Sequence, residues 1–489
     1  MTTWRSERMD SMKTIRIEDI RNREEERQRR QRMRFVSKAS ATSAKYMRRM
    51  EELSGAPSSM KPFFDVLKKV YVDMEDPFEG MEIPTVGTFC VMAPQELIYA
   101  AGAQPVKLCS GSYTAFAIGD DIVPRDACPL VKAVEGFREI GVMPVYRNAS
   151  MMVVPITCDC KKKIAGLLEE RLEHDGKKSD MEKGRETKCS VHTMHVPVTR
   201  DDRAIDQFVS ALYELCLKLE ESTGNRITRD RLIFGMRMVG QAQYELSRFL
   251  KLKKVNPYLI RGTHAMAIMN AASYMNAADW ANALHDLNDE LVGRVALGTK
   301  VTARAVPRIL ITGSPVIFPN MKIPLLIEEM GGHMAADETC MGERGMSDPA
   351  VPVDDSFDGC MRALANRALR PCSCPTFAEN SERIYRIRQM IRDYDIQGVV
   401  YHVLRGCLVY DFEYKQIEEE LGKIGIPVIR LESDYNEEDV EQLRIRVEAF
   451  IELIRLSENS GEAAGKQDKQ NPQGRRVEYR WKEKGGIAG

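Results

Sequence analysis

Two doubly wound α/β lobes, each on a parallel sheet and joined by a helical segment with a cleft between them, are the fold class this sequence predicts. Short apolar runs alternate with amphipathic stretches in both the first and the last third of the chain, the βαβα pattern of parallel sheets. A Pro-poor stretch rich in Met, Ala and charged residues separates these regions. With 489 residues the chain exceeds one ordinary core.

Taken in order, residues 1–57 form a charged N-terminal extension, helical or partly disordered. Its acids interleave its bases, as in IRNREEERQRRQRMR, so an exposed charged helix is expected rather than a nucleic-acid surface. Residues 58–199 form the first lobe, with strands in MEIPTVGTF, QPVKLC and ASMMVVPI. PQELIYAAGA gathers Leu97, Ile98, Ala100 and Ala101 on one side and reads as a helix. Residues 200–302 are the helical connection. Residues 303–456 restart the alternation with strands VPRILIT, HMAAD, GVVYHVL and IPVIRLESD. Its helices lie in MKIPLLIEEMGG, FEYKQIEEELGKIG and VEQLRIRVEAFIELI. The polar, Gly-rich stretch 457–489 reads as a disordered tail. Two such lobes bring the carboxyl ends of their strands to a shared cleft, where these folds bind ligands.

A net charge of −1 gives no global field for nucleic acid or an anionic membrane. No window approaches eighteen uninterrupted apolar residues, and the N-terminus lacks the apolar core of a signal peptide, so a cytoplasmic protein is expected. There, twelve cysteines stay reduced rather than forming a disulfide framework. ITGSP lacks the lysine of a phosphate-binding loop, and neither GxGxxG nor GxSxG is present. His174, His192 and His195 are expected on the surface of a polar loop.

The cysteines then carry the question. Cys90, Cys109, Cys158, Cys160, Cys340 and Cys407 fall at or after strand ends, and Cys128, Cys372 and Cys374 in loops, as RDACPLVK and RPCSCPTF. Cys216 in ALYELCLKL is expected in helix core, and Cys189 and Cys360 in polar loops without a motif. The spacing is neither that of a zinc ribbon nor the compact run of ferredoxins. Thiolates scattered over two lobes can instead converge on one iron–sulfur cluster, whose soft iron prefers sulfur. Helix N-termini after Cys90, Cys128 and Cys158 would add partial positive charge. Lys132 and Lys161, Lys162 and Lys163 lie within a turn, although a solvated face is the expectation for them.

VGTFCVMAPQELIYAAGAQPVKLC, ACPLVKA, ITCDCKKK, ILITGSP, DETCMGER, PCSCPTFAENSER and YDIQGVVYHVLRGC resemble the 2-hydroxyacyl-CoA dehydratase D-component and benzoyl-CoA reductase subunit family. The likeness runs from about Pro84 to Leu453 and is nearest to the double-cubane cluster protein branch. It implies two Rossmann-like lobes around a cysteine-bound iron–sulfur cluster in the interlobe cleft. It also implies a separate ATP-dependent activator protein that carries its own [4Fe-4S] cluster. Dehydratase subunits of the family supply three cysteines to a [4Fe-4S] cluster, and the double-cubane branch six to an [8Fe-9S] cluster. The matched positions are Cys90, Cys128, Cys158, Cys340, Cys374 and Cys407, with Cys372 as the alternate to Cys374. Six favours the double cubane. The family pattern CDGKKK is CDCKKK here, so Cys160 is an extra ligand, a redox-active neighbour or a neutral change.

The resemblance thus implies a low-potential iron–sulfur reductase or electron-transfer protein, acting on a small molecule. The alternatives are a dehydratase subunit using ketyl-radical chemistry on a CoA thioester, and a non-catalytic scaffold. A homodimer is implied, or a heterodimer for a dehydratase, with no membrane or nucleic-acid partner. No catalytic residue beyond the cluster ligands is assigned.

Overall fold

A computed structural model describes residues 17–179, 189–302, 306–346 and 348–468. Helix α1 (Ile17–Glu51) and helix α2 (Lys61–Tyr71) precede the first lobe. That lobe runs β1 (Thr85–Thr88), α3 (Gln95–Ala100), β2 (Gln104–Lys107), α4 (Tyr113–Gly119), α5 (Pro129–Ile140) and α6 (Pro144–Arg147). It closes with β3 (Ala149–Ile156), α7 (Asp159–Ser179) and β4 (Ser190–His195). Four helices follow: α8 (Asp202–Thr223), α9 (Arg229–Val255), α10 (Gly262–Ala271) and α11 (Ala277–Ala296). The second lobe holds β5 (Arg308–Gly313), α12 (Lys322–Glu329), β6 (His333–Asp337), α13 (Phe357–Leu369) and α14 (Ser381–Asp393). It ends with β7 (Gly398–Leu404), α15 (Leu408–Gly422), β8 (Val428–Ser433) and α16 (Val440–Asp468).

Both sheets are four-stranded and wholly parallel, in the orders β2-β1-β3-β4 and β6-β5-β7-β8. The expected class, two doubly wound lobes, is therefore the one observed. Each sheet begins in its middle and then grows in both directions, which opens a crevice at the carboxyl ends of the two central strands. Central β7, GVVYHVL, is buried at every position, as a strand covered on both faces must be, whereas edge β8 is mostly half-buried. Among the described residues no helix is long and apolar enough to cross a membrane.

Several local expectations are corrected. His192 and His195 lie in β4, not in a loop, because β4 pairs with β3 from Met151 opposite Ser190 to Ile156 opposite His195. An edge strand can be polar, and pairing outweighs its composition. Burial lowers the pKa of His192. His174 falls outside the residues whose side chains are described. Cys360 is fully buried on α13, which crosses back to pack against α8 of the first half. Cys216 is in helix core, as expected.

Helix α1 is charged but not free. Phe35, Ala39, Tyr46, Met47 and Met50 form a buried stripe at helical spacing. It packs on α4 and α5 of the first lobe and on α12 of the second, where Arg49 meets Glu329 at 2.6 Å and Lys45 meets Glu437 at 2.9 Å. Helix α16 continues to Asp468, and residues 469–489 of the expected tail lie outside the described residues.

Candidate functional site

The strand-end loops of both lobes open into one cavity of about 500 Å³. Cys90 follows β1, Cys109 follows β2, Cys158 and Cys160 follow β3, Cys340 follows β6 and Cys407 follows β7. Cys128 enters from the α4–α5 loop, and Cys372 and Cys374 from the loop after α13. All nine line the cavity, so every matched cysteine and both alternates are brought together. Cys189, Cys216 and Cys360 are not among its lining residues. The remaining wall is largely apolar, with Leu130, Val131, Ile156, Ile317, Leu404 and Val409. The lobes close tightly here: a Cβ on Gly406, next to Cys407, would meet the Asp126 carbonyl oxygen at 2.4 Å, and its φ of +75° also suits glycine.

The thiols fall into two groups. In the first, Cys128, Cys158 and Cys407 each occupy the N-cap of a helix of twelve residues or more: α5, α7 and α15 respectively. Cys158 is identified as a cap by its carbonyl, which accepts from the Lys162 amide at 3.1 Å. The amides of Leu130, Lys161 and Tyr410 point at the three sulfurs and favour their thiolates, although at Cys128 and Cys407 no capping hydrogen bond closes. Cys128 and Cys407 face each other across the cavity and act on each other's protonation. Their mutual influence draws Cys407 down and, with burial, pushes Cys128 well up. Cys160 also faces this group: its charge would repel the thiolates of Cys128 and Cys158.

The second group is Cys90, Cys340, Cys372 and Cys374, which act electrostatically on one another. Here the expected helix behind Cys90 is absent, since α3 begins only at Gln95, and the Cys90 sulfur faces the Met92 amide in a turn. Burial raises Cys90 to about 11 and also raises Cys372 and Cys374. Charged side chains take the place of helix ends. Arg344 donates to the Ser373 carbonyl at 2.8 Å and to the Tyr410 hydroxyl at 2.5 Å, and meets Glu338 at 3.4 Å. Arg383 donates to the same Ser373 carbonyl at 2.9 Å and pairs with Glu338 at 3.0 Å and Glu413 at 2.8 Å. Ser373 Oγ in turn donates to Glu338 at 2.7 Å. Two arginines and two carboxylates thus balance in the interior and tie the Cys340, Cys372–Cys374 and Cys407 loops to one another. Burial opposes the Glu338 charge, but the two arginines outweigh it and hold its pKa low.

Two lysines complete the electrostatics. Lys161, expected to be solvated, is buried against the Phe89 carbonyl and lies 3.8 Å from Cys109 Sγ. Burial opposes its charge, yet Cys109, Cys90, Cys158 and Cys340 outweigh it and raise its pKa. Lys107, beside Met341 Sδ at 3.7 Å, faces Cys340, Cys109 and Cys90, and burial lowers its pKa. Lys132 is likewise buried, bonded to Asp120 at 2.6 Å, while Lys162 and Lys163 are exposed as expected.

Among the described residues, no three His, Cys, Asp or Glu side chains close around a single-ion position. The thiols are instead spread around a cavity, which suits a polynuclear cluster. Sulfur donors, a mainly apolar wall and converging positive charge fit an anionic iron–sulfur group. Sequence reasoning missed Lys107, Glu338, Arg344 and Arg383. The one available signal was the placement of Glu338 and Arg344 on either side of Cys340 in DETCMGER.

A two-lobed parallel α/β protein with a thiol-lined interlobe cavity is the class that fold and site define. Residues 90–454 match the sequence profile of the family described as 2-hydroxyglutaryl-CoA dehydratase, D-component, and the chain belongs to that family. It is 31% identical over 379 residues to YjiM of Escherichia coli (strain K12), which bears the provisional name of a dehydratase subunit; the match covers 76% of this chain and 92% of the relative. It is 21% identical over 384 residues to the beta subunit of (R)-2-hydroxyglutaryl-CoA dehydratase from Acidaminococcus fermentans, covering 76% and 92%. A benzoyl-CoA reductase subunit of Thauera aromatica is 21% identical over 370 residues, covering 75% and 89%.

Proposed function

We propose that the chain holds an iron–sulfur cluster of the double-cubane type and works as a low-potential reductase or electron-transfer protein, charged by an ATP-dependent activator. The division of the cavity cysteines into two groups supports this reading. Cys128, Cys158 and Cys407 serve one half, and Cys90, Cys340 and Cys374, or Cys372 in its place, serve the other. Bound there, the cluster would store electrons at low potential and pass them to a substrate. The thiols lose their protons on binding iron, at a cost set by burial. The N-termini of α5, α7 and α15, with Lys107, Lys161 and Arg344, offset that cost and favour the reduced, more anionic state.

A second reading is a 2-hydroxyacyl-CoA dehydratase subunit with a [4Fe-4S] cluster. It is favoured by relatives named as beta subunits of phenyllactyl-, 2-hydroxyglutaryl- and lactoyl-CoA dehydratases. Iron and sulfide analysis with EPR of anaerobically purified, dithionite-reduced protein separates the two. About eight irons per chain supports the double cubane, whereas about four, with a required second subunit and CoA-ester binding, supports the dehydratase. Iron-free protein that is folded and active would overturn both and leave a scaffold.

A further inference from the structure

We infer that Cys160 is a fourth thiolate for the half of the cavity built on Cys128, Cys158 and Cys407. This rests on the proposed iron–sulfur reading and adds to it a ligand outside the six matched positions.

Cys160 lines the same cavity as the three capping cysteines and is half-buried. It stands two residues past the Cys158 cap, in the first turn of α7, where backbone amides are still free of helical partners. It leaves the same strand-end loop as Cys158 and lies in the first turn of the helix that Cys158 caps, which places it on the Cys158 side of the cavity. Ligation replaces the S–H bond by an iron–sulfur bond and releases one proton to solvent, with no change in electron count. Four thiolates complete the irons of one four-iron cube; because six cysteines and the ninth sulfide already occupy all eight irons of an [8Fe-9S] cluster, Cys160 would take the iron position on this half that the ninth sulfide otherwise holds, leaving that sulfide on the other half.

The consequence is an asymmetric site. With Cys160 bound, the helix-capped half is closed to exogenous ligands and serves to relay electrons. Access to iron is left to the other half, beside a second, smaller pocket of about 60 Å³ lined by Cys90, Cys372, Lys107, Gln243 and Arg344.

The test is alkylation of the anaerobic holoprotein with iodoacetamide, read by peptide mass spectrometry, alongside EPR of reduced Cys160→Ala. In the expected result, Cys160 is protected to the same extent as Cys158 and both become reactive once iron is chelated away. Half-buried Cys189, outside the cavity, labels equally in both states. Cys160→Ala keeps most of its iron, but its g-values move away from those of the native protein. Labelling of Cys160 in iron-replete protein, or an unchanged spectrum in Cys160→Ala, overturns the inference and leaves the iron–sulfur reading standing. Absence of iron overturns both.

Discussion

The two halves of the cavity reach the same end, a set of buried thiols that tolerates negative charge, by different physics. Around Cys128, Cys158 and Cys407 the positive potential comes mainly from the backbone, through the N-termini of α5, α7 and α15. Each such terminus carries roughly half a positive charge and depends on no particular side chain. Around Cys90, Cys340, Cys372 and Cys374 it comes from Lys107, Lys161 and Arg344, and the loops are held by a buried ion network. Substitution of charged side chains should therefore leave the first half nearly intact and damage the second.

The largest effect expected is on the cluster itself. Cys128→Ser and Cys340→Ser, one from each half, should each remove about half or more of the bound iron. Cys216→Ser, in helix core, should leave iron content unchanged. Iron analysis that finds loss for only one of the two halves would reduce the site to a single four-iron cluster and break the comparison.

Next in size is the ion network. Arg383→Met leaves buried Glu413 without its cation and Glu338 with Arg344 as its one remaining cation, and should cost about 3–5 kcal/mol in urea unfolding of the cluster-free protein. Lys132→Met, on the helix-capped side, removes a pair whose Asp120 is 45% exposed and should cost about 1 kcal/mol or less. Equal losses would show that both halves depend on side-chain charge alike.

How much of this was legible follows the same division. Strands β5 and β7 stood out because buried parallel strands are continuous apolar runs, whereas edge strand β4, SVHTMH, carries no such mark. The helix caps at Cys128 and Cys158 could be read because cap and helix are adjacent in sequence. Cys90 misled because four residues intervene before α3 starts. The ion network was invisible because Glu338, Arg344, Arg383 and Glu413 meet only once β6, α14 and α15 are packed. Lys132 and Lys161 were read as solvated because burial of a lysine is decided by its partners. The charged composition of α1 likewise hid its apolar stripe, one residue in three or four.

Lys107→Met should lower the reduction potential by about 60 mV, the one-electron equivalent of a tenfold change in equilibrium, since it removes a cation facing the second group. Redox titration followed by EPR would measure it. A shift upward, or none, would mean that Lys107 is neutral in the loaded protein and that Arg344 and Lys161 supply the charge.

The smallest effect probes a helix end directly. Leu408 is the first residue of α15, 63% exposed, and it lines the cavity beside Cys407. Leu408→Glu places a carboxylate where the helix terminus favours one, so cluster-free protein should gain about 0.3–1 kcal/mol of stability. The same carboxylate opposes an anionic cluster, so the reduction potential of the loaded protein should fall by about 15–45 mV, the one-electron equivalent of that energy. These opposite signs separate an electrostatic role for the terminus from a packing role. If stability and potential fall together, α15 positions Cys407 without contributing its dipole, and the contrast between the two halves is one of geometry alone.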